Sequence, residues 1–306
     1  MDAIKEILGT KNYEKLLEAN INSLPLIVSR ELKELEEITE STGEIAKQIQ
    51  RVAAEHMLKN KMCTALQLQE LEMISSGCSQ IDTLLKGGFP VNGIIEIVGS
   101  SGVGKTQLCM QLALQVQLPK NLGGLKKDAV YICTEDSFPS KRFNSLSTCY
   151  KTKYLSNWNF LDQVYLSHVL DISTFKKCIL VELQYFLRPR NVGLIIIDSI
   201  AGVFRSENDS ADFVSRSKLL IRIGTTLNKI QDEFNCAIFV VNQVVDADSS
   251  LEPCLGLAWA NNLTYRFTLS RADLHNIPRK FECTFAPDIP NGHVYFKITC
   301  NGIQDL

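Results

Sequence analysis

Long apolar runs are missing from this sequence. The richest, around VGLIIIDSIAGVF, carries a central Asp and falls short of the roughly 20 residues that a bilayer-spanning helix needs. The opening stretch, MDAIKEILGTKNYEK, has no basic patch followed by an apolar one, so no secretory signal is expected and the chain reads as one that works in solution inside the cell. Paired cysteines are missing too. None of the 10 cysteines sits in a CxxC pair or at zinc-ligand spacing, and most lie in apolar runs such as LCMQLAL, VYICTE and FNCAIFVV, the pattern of reduced, buried thiols. Excess charge is also scarce. The 32 Lys and Arg against 34 Asp and Glu leave a net −2, which excludes a globally basic nucleic-acid binder but not a local basic strip. No internal repeat or low-complexity tract is visible.

What remains is an ordinary globular composition, 45% apolar and 22% charged, in 306 residues, enough for one large core plus a small appendage. Residues 1–59 hold no strand-like run. Within them YEKLLEANI, SRELKELEEI and STGEIAKQIQRVAAEHML space their apolar residues three and four apart, as helices do. Ser41 followed by Glu44 predicts a capped start for the last of these. This N-terminal helical domain is too short to carry chemistry alone and reads as a packing or docking unit. A bridge over residues 60–77 leads into a core over 78–306. There GIIEIVG, AVYICTE, QVYLSHV, VGLIIIDS and CAIFVVNQ read as strands, alternating with helical stretches near 104–118, 138–150, 172–187 and 214–235. Such alternation predicts an α/β fold, a mostly parallel sheet with helices on both faces. After Asn261 the segments LTYRFTLSR, RKFECTFA and HVYFKITCNGI follow one another as strands and predict an antiparallel extension.

Gly99, Ser100, Ser101, Gly102, Val103, Gly104, Lys105 and Thr106 fill every position of GxxxxGK[ST], after a predicted strand and ahead of a predicted helix. Glycines let backbone amides turn inward around a phosphate where side chains would collide. Lys105 brings a point charge to the β- and γ-phosphates, and Thr106 offers its hydroxyl to Mg²⁺. The helix that opens here, with Gln107 in its first turn, adds the positive end of its dipole. A bound nucleotide with Mg²⁺ is the expectation.

Ligands collect at the carboxyl ends of parallel strands, and VGLIIIDS ends in Asp198, placed to meet the loop's Mg²⁺. AVYICTED ends in Glu135 and Asp136, either of which is a candidate to deprotonate a water attacking the γ-phosphate. FVVNQVV ends in Asn242 and Gln243, where an amide can sense the γ-phosphate and pass the signal to the following loop. Missing signatures narrow the class. There is no LSGGQ of a transporter ATPase, and the nearest match to the base-reading NKxD of GTPases is NKIQ at Asn228–Gln231, without the Asp. No Arg-rich lid of a small-molecule kinase is seen.

The ordered set GGFPVNGIIEIVGSSGVGKTQLCMQLALQVQLP, AVYICTEDSFPSKRF, LIIIDSIAGVFR, FVVNQV and LGLAWANNLTYRF resembles the RecA/RadA recombinase family, in particular its eukaryotic paralogues, over nearly the whole chain. The resemblance implies a RecA-like ATPase core with ATP and Mg²⁺ as cofactors, working in homologous-recombination repair of DNA double-strand breaks and damaged replication forks. It implies a nuclear location with a cytoplasmic share. As partners it implies a sister recombinase paralogue of the C type in a heterodimer, the main recombinase filament, and single-stranded or branched DNA. Residue by residue, it implies Lys105 and Thr106 on phosphates and Mg²⁺, Glu135 as the water-activating glutamate, Asp198 on Mg²⁺ through water, and Gln243 as γ-phosphate sensor. FAPDIPNGHVYFKIT looks like the segment that caps a neighbouring subunit's ATP.

Three departures from the family pattern bear on function. Where filament formers plug a Phe-x-x-Ala segment into the next subunit, this chain has Met62-Cys63-Thr64-Ala65, so Met62 and Ala65 are the expected docking pair, without the aromatic area of Phe. The DNA loop is reduced to VDADSSLEPC, acidic through Asp246, Asp248 and Glu252 and a poor phosphate contact. The candidate DNA contacts are instead Arg205, Arg216, Lys218 and Arg222. Phe285 stands where filament recombinases carry the aspartate of the ATP cap. These departures favour a partner-dependent regulatory subunit, with weak or conditional DNA-stimulated hydrolysis, over an autonomous filament-forming strand-exchange recombinase. A phosphate-loop phosphotransferase on a small substrate is the third reading.

Overall fold

Apolar residues at helical spacing build the first of two compact units, Met1–Glu70 and Leu71–Leu306. The computed structural model describes all residues except 1, 20, 22, 58–70, 136, 206–212, 248–249 and 273–277, so Met62, Ala65, Asp136 and Asp248 lie outside the described residues. In the first unit α1 (Asp2–Glu18), α2 (Leu24–Ser29), α3 (Leu32–Thr39) and α4 (Gly43–Met57) bury Ile4, Leu16, Ile27, Leu35, Ile49 and Ala53 among themselves. Gln50 Nε2 donates to the Arg30 carbonyl at 2.6 Å and ties the short break between α2 and α3 to α4. Ser41 does not stand where the capping pattern predicts. Its hydroxyl pairs with that of Thr39 at 2.6 Å and α4 opens at Gly43, a local side-chain bond winning over the cap.

The second unit takes in residues 71–77 of the expected bridge, because β1 (Met73–Ile74) pairs antiparallel with β2 (Phe89–Pro90) and Ser76 is fully buried. Its main sheet holds β3 (Ile94–Val98), β4 (Asp128–Cys133), β5 (Val164–His168), β6 (Val192–Asp198), β7 (Ala237–Asn242), β10 (Tyr265–Arg271), β11 (Arg279–Phe285), β12 (Gly292–Thr299) and β13 (Gly302–Asp305). The order is β13-β12-β11-β10-β3-β7-β6-β4-β5. From β10 to β5 all neighbours are parallel, and from β10 to β13 all are antiparallel. The α/β architecture with its antiparallel extension is therefore as the sequence predicts.

Two refinements were not legible. β10 belongs to both halves, parallel to β3 and antiparallel to β11. HVYFKITCNGI is a hairpin, reversing at Cys300-Asn301 so that Thr299 faces Gly302. The described part of VDADSSLEPC joins an antiparallel ribbon of β8 (Val244–Ala247) and β9 (Ser250–Pro253).

Side-chain alternation along the strands sorts the core into two layers. Leu194 and Ile196 of β6 pack with α5 (Ser79–Leu84), α6 (Lys105–Gln115) and α7 (Ser140–Lys153). Ile195 and Ile197 pack with α8 (Ile172–Lys177), α9 (Leu183–Leu187), α10 (Ile200–Arg205), α11 (Phe213–Phe234) and α12 (Gly256–Ala260). Five residues in π-helical geometry, Cys178–Glu182, join α8 to α9. The extension is covered on one face only, with Phe281 and Cys283 in the first layer and Thr284 exposed.

Glu96 breaks the apolar run of β3 and has no solvent exposure. Its carboxylate accepts from Arg266 Nε at 2.5 Å on β10, Asn242 Nδ2 at 2.8 Å on β7 and Trp259 Nε1 at 2.8 Å on α12. Removing one partner of a buried ion pair strands the other. Glu96→Ala should therefore cost on the order of 3–5 kcal/mol in urea unfolding of the chain; a loss under about 1 kcal/mol would show the network to be dispensable.

At the end of β13 the Asp305 carboxylate accepts from the backbone amides of Ser79 and Gln80 at 3.2 and 2.9 Å, the Ser79 hydroxyl at 2.6 Å and the Cys78 thiol at 2.9 Å, capping α5. Burial pushes this carboxyl up, but the hydrogen bonds from Cys78, Ser79 and Gln80 outweigh it and hold the group at about 2. A carboxyl depressed on folding stabilises fully above its unfolded value, about 3.9, and that contribution fades as pH falls through the folded value. Asp305→Asn should lower stability by roughly 1 kcal/mol at pH 6, and the gap from wild type should shrink as denaturation is repeated between pH 4 and pH 2. A gap independent of pH would refute the charged cap.

Candidate nucleotide site

The carboxyl ends of β3, β7, β6 and β4 stand side by side in the sheet, and each delivers one of the residues singled out in the sequence. After β3 the chain turns through Gly99–Gly104 into α6. The turn requires its glycines. A Cβ at Gly99 would run into the Leu269 carbonyl, and Gly104 has φ +110° with Ile298 Cδ1 only 2.6 Å from where its Cβ would stand. Ser100, Ser101 and Gly102 are exposed and Val103 is buried, so the loop presents backbone outward and anchors itself by one side chain.

Lys105 is buried and folds back onto the loop, donating to the carbonyls of Gly99 at 2.5 Å and Ser100 at 2.8 Å. Burial pushes its ammonium down from its ordinary range, and the charges of Asp198 and Glu135 oppose that shift. Thr106 donates to Asp198 Oδ2 at 2.8 Å, and the Tyr131 hydroxyl donates to the same oxygen at 2.6 Å. Burial pushes the Asp198 carboxyl up; the bonds from Tyr131 and Thr106 pull the other way.

Glu135 lies just beyond β4. Its carboxylate accepts from Gln243 Nε2 at 2.8 and 3.1 Å, from the Ser199 hydroxyl at 2.9 Å, and pairs with Arg205 at 3.2 Å. A cavity of about 290 Å³ opens among Thr106, Tyr131, Cys133, Glu135, Phe138 and Asp198.

These residues fit a nucleotide with a hard cation. The loop is a cradle that Cβ atoms would fill, and the cavity's donor set is hydroxyls and the carboxylates of Glu135 and Asp198, the oxygen ligands Mg²⁺ prefers. Burial and the Asp198 charge push the neighbouring Cys133 thiol up to about 12, so it offers no thiolate. Among the described residues no cluster of three His, Cys, Asp or Glu is placed to hold a metal, so phosphate and water oxygens would have to complete the coordination.

The other candidate residues are scattered. Arg205, picked for DNA, points at Glu135 instead. Arg216 lays its guanidinium over the Phe204 ring, 5.4 Å from the centroid, while Lys218 and Arg222 are exposed, one turn apart on α11. Phe285 ends β11 half-exposed.

Sequence reasoning missed Tyr131, Ser199 and Arg142. A buried tyrosine in a strand needs a partner for its hydroxyl, which was a usable signal. Arg142 had none. It donates to Gln107 Oε1 at 2.9 Å and to the carbonyls of Thr299 and Cys300 at 2.6 and 2.7 Å, fixing the expected Gln107 beside the β12–β13 turn.

A family profile described as Rad51 matches residues 67–306. The chain belongs to the Rad51 family. Its relatives include the DNA repair protein XRCC3 of Bos taurus, 30% identical over 335 aligned residues that span 100% of this chain and 98% of that protein. The DNA repair protein rhp57 of Schizosaccharomyces pombe is 29% identical, with 90% of this chain and 91% of that one covered. The DNA repair and recombination protein RadA of Cenarchaeum symbiosum is 29% identical over 98% of this chain and 78% of its own length. The Rad51-family match begins at residue 67, close to the start of the second structural unit at Leu71.

Within this Rad51-family site, Lys105→Ala should weaken nucleotide binding at least tenfold in a fluorescent-nucleotide titration, by losing the ammonium that lies along the loop. Glu135→Gln should keep binding and depress any hydrolysis. Equal loss of binding in both variants would remove Glu135 from the role of base.

Proposed function

We propose that this chain is an ATP-binding subunit of the recombination-repair machinery, acting at DNA double-strand breaks and damaged replication forks. The observation that carries the reading is the meeting of Thr106 with Asp198, and of Gln243 with Glu135, beside a complete phosphate loop. Its relatives' names, DNA repair protein XRCC3, DNA repair protein rhp57 and DNA repair and recombination protein RadA, support a setting in repair and recombination.

Each charged group has a part in that reading. Lys105 exchanges the carbonyls of Gly99 and Ser100 for phosphate oxygens. Thr106 and Asp198 would hold Mg²⁺, the latter through a water, and the ion would supply neutralisation of charge on the phosphate oxygens. Glu135 accepts the proton of the attacking water, and Gln243 reports the presence of the γ-phosphate to the β8–β9 ribbon that it immediately precedes. Gln107, steadied by Arg142, helps seat the nucleotide at the start of α6.

The reading extends to assembly. The chain serves as a partner-dependent regulatory subunit in a heterodimer with a sister paralogue of the C type, docking through Met62 and Ala65 and supporting the main recombinase filament. Hydrolysis is weak or conditional on DNA and partner, and the setting is the nucleus with a cytoplasmic share. Single-stranded or branched DNA meets Arg205 at the end of α10 and Arg216, Lys218 and Arg222 along α11. The acidic ribbon residue Glu252 makes β8–β9 the poorer phosphate contact.

Co-expression with the sister paralogue should yield a one-to-one complex by light scattering after gel filtration. Self-filaments of the chain alone on ATP and single-stranded DNA would sink the regulatory reading in favour of an autonomous recombinase. Phosphate transfer to a small acceptor would replace both.

A further inference from the structure

Glu135 Oε1 is crowded. The Ser199 hydroxyl at 2.9 Å and Gln243 Nε2 at 2.8 Å donate to it and fill its two lone pairs, and Arg205 Nη2 adds an ion pair at 3.2 Å. Among the described residues Oε2 accepts from Gln243, at 3.1 Å. Arg205 is the most distant of the three partners and the most weakly committed. It makes one nitrogen–oxygen approach, its side chain is 56% exposed, and Glu135 is itself 31% exposed. Ion pairs of that exposure are weak. A guanidinium is built for better: two parallel bonds to an oxyanion, and phosphate supplies the geometry.

Position makes the exchange possible. Arg205 is the last residue of α10, the helix that follows β6 and Asp198, so it stands on the same edge of the sheet as the phosphate loop. Its charge reaches Lys105, where burial comes first among the influences that lower the ammonium and Arg205 acts in the same direction. The guanidinium thus pairs with the catalytic-glutamate candidate, and its charge is felt at the cation of the loop. The other cations considered for DNA are differently placed: Arg216 is occupied with Phe204, and Lys218 and Arg222 face outward on α11.

We infer that Arg205 is a phosphate-responsive switch on Glu135. Without phosphate it pairs with the carboxylate; a phosphate oxyanion draws the guanidinium away and leaves the carboxylate without its counter-charge. The oxyanion is either the γ-phosphate of ATP or a backbone phosphate of DNA. This rests on the nucleotide reading above. No bond is made or broken in the exchange. Its effect is to couple the release of Glu135 from its counter-charge to the presence of the group that makes the base useful. Arg205 acts through Glu135 and is a positioning residue.

The test uses the full chain with fluorescent ATP and ADP, and a fluorescent single-stranded oligonucleotide titrated across a salt series. If the γ-phosphate is the second partner, Arg205→Ala weakens ATP about fivefold or more and leaves ADP unchanged, while Arg205→Lys recovers part of the loss. If the DNA phosphate is the partner, nucleotide affinities stay put and the slope of log affinity against log salt falls by about one in the variant. Equal weakening of ATP and ADP, or no change in either assay, overturns the switch. Wild type that binds neither ATP nor DNA sinks the nucleotide reading itself, whereas wild type that binds ATP with Arg205→Ala indifferent throughout sinks only the switch. A double-mutant cycle guards against a folding defect. In the Glu135→Gln background Arg205 has no carboxylate to leave, so Arg205→Ala should cost more ATP affinity there than in wild type; equal cost in both backgrounds would deny the competition.

Discussion

A carboxylate without water must have its lone pairs filled by the protein, and Glu96 imposes that condition on everything around it. It stands on β3 in register with Arg266 of β10 and Val240 of β7. Filling it demands a guanidinium on one side, an amide at the end of the other neighbouring strand, and an indole from α12. Three elements distant in sequence are thereby assigned positions around one group. The same Asn242 that serves Glu96 accepts from the Gln243 backbone amide at 2.8 Å and donates to the Cys254 carbonyl at 2.8 Å, so both roots of the β8–β9 ribbon are pinned. The position of Gln243 against Glu135 is inherited from this arrangement. Since Glu96 precedes the phosphate loop by only two residues, the loop and the ribbon hang from a single buried charge.

The site assembled on that frame is self-satisfied. Lys105 rests on loop carbonyls, Thr106 and Tyr131 on Asp198, and Gln243, Ser199 and Arg205 on Glu135. Every group that phosphate chemistry would use has a stand-in of the same charge type within the chain. Such a site avoids the penalty of unpaired buried polar groups and can release each stand-in when a better partner arrives. Asp198 is the least replaceable member, because two hydroxyls on opposite sides, from α6 and β4, converge on one of its oxygens.

The legible part of the structure was the part written in local pattern. Short β-branched apolar runs located β3 through β7, and the complete GxxxxGK[ST] fixed the loop and the start of α6. Asp198, Glu135 and Gln243 followed because ligand-facing residues end parallel strands. What stayed hidden depends on contacts between segments far apart. HVYFKITCNGI gives no sign that Cys300-Asn301 reverses the chain until Asn-Gly is weighed as a turn, and the acidic VDADSSLEPC conceals a ribbon. Arg205 was chosen for DNA by its charge and its place after Asp198, which carry no information about the nearer carboxylate. Arg142 reaches Gln107 across the first layer from α7, and no spacing rule connects them.

The Asp305 clasp has a mechanical side. β13 is the outermost strand of its sheet, paired only with β12, and an edge strand loaded from one end peels one hydrogen bond at a time. Here the loose corner is buttoned to the first turn of α5 by four bonds to one carboxylate. A tug on the chain beyond Asp305 is therefore shared with α5, and through it with the packed layer beneath, before any rung of β13 is lost. The corner most exposed to fraying is thereby the one tied to a helix.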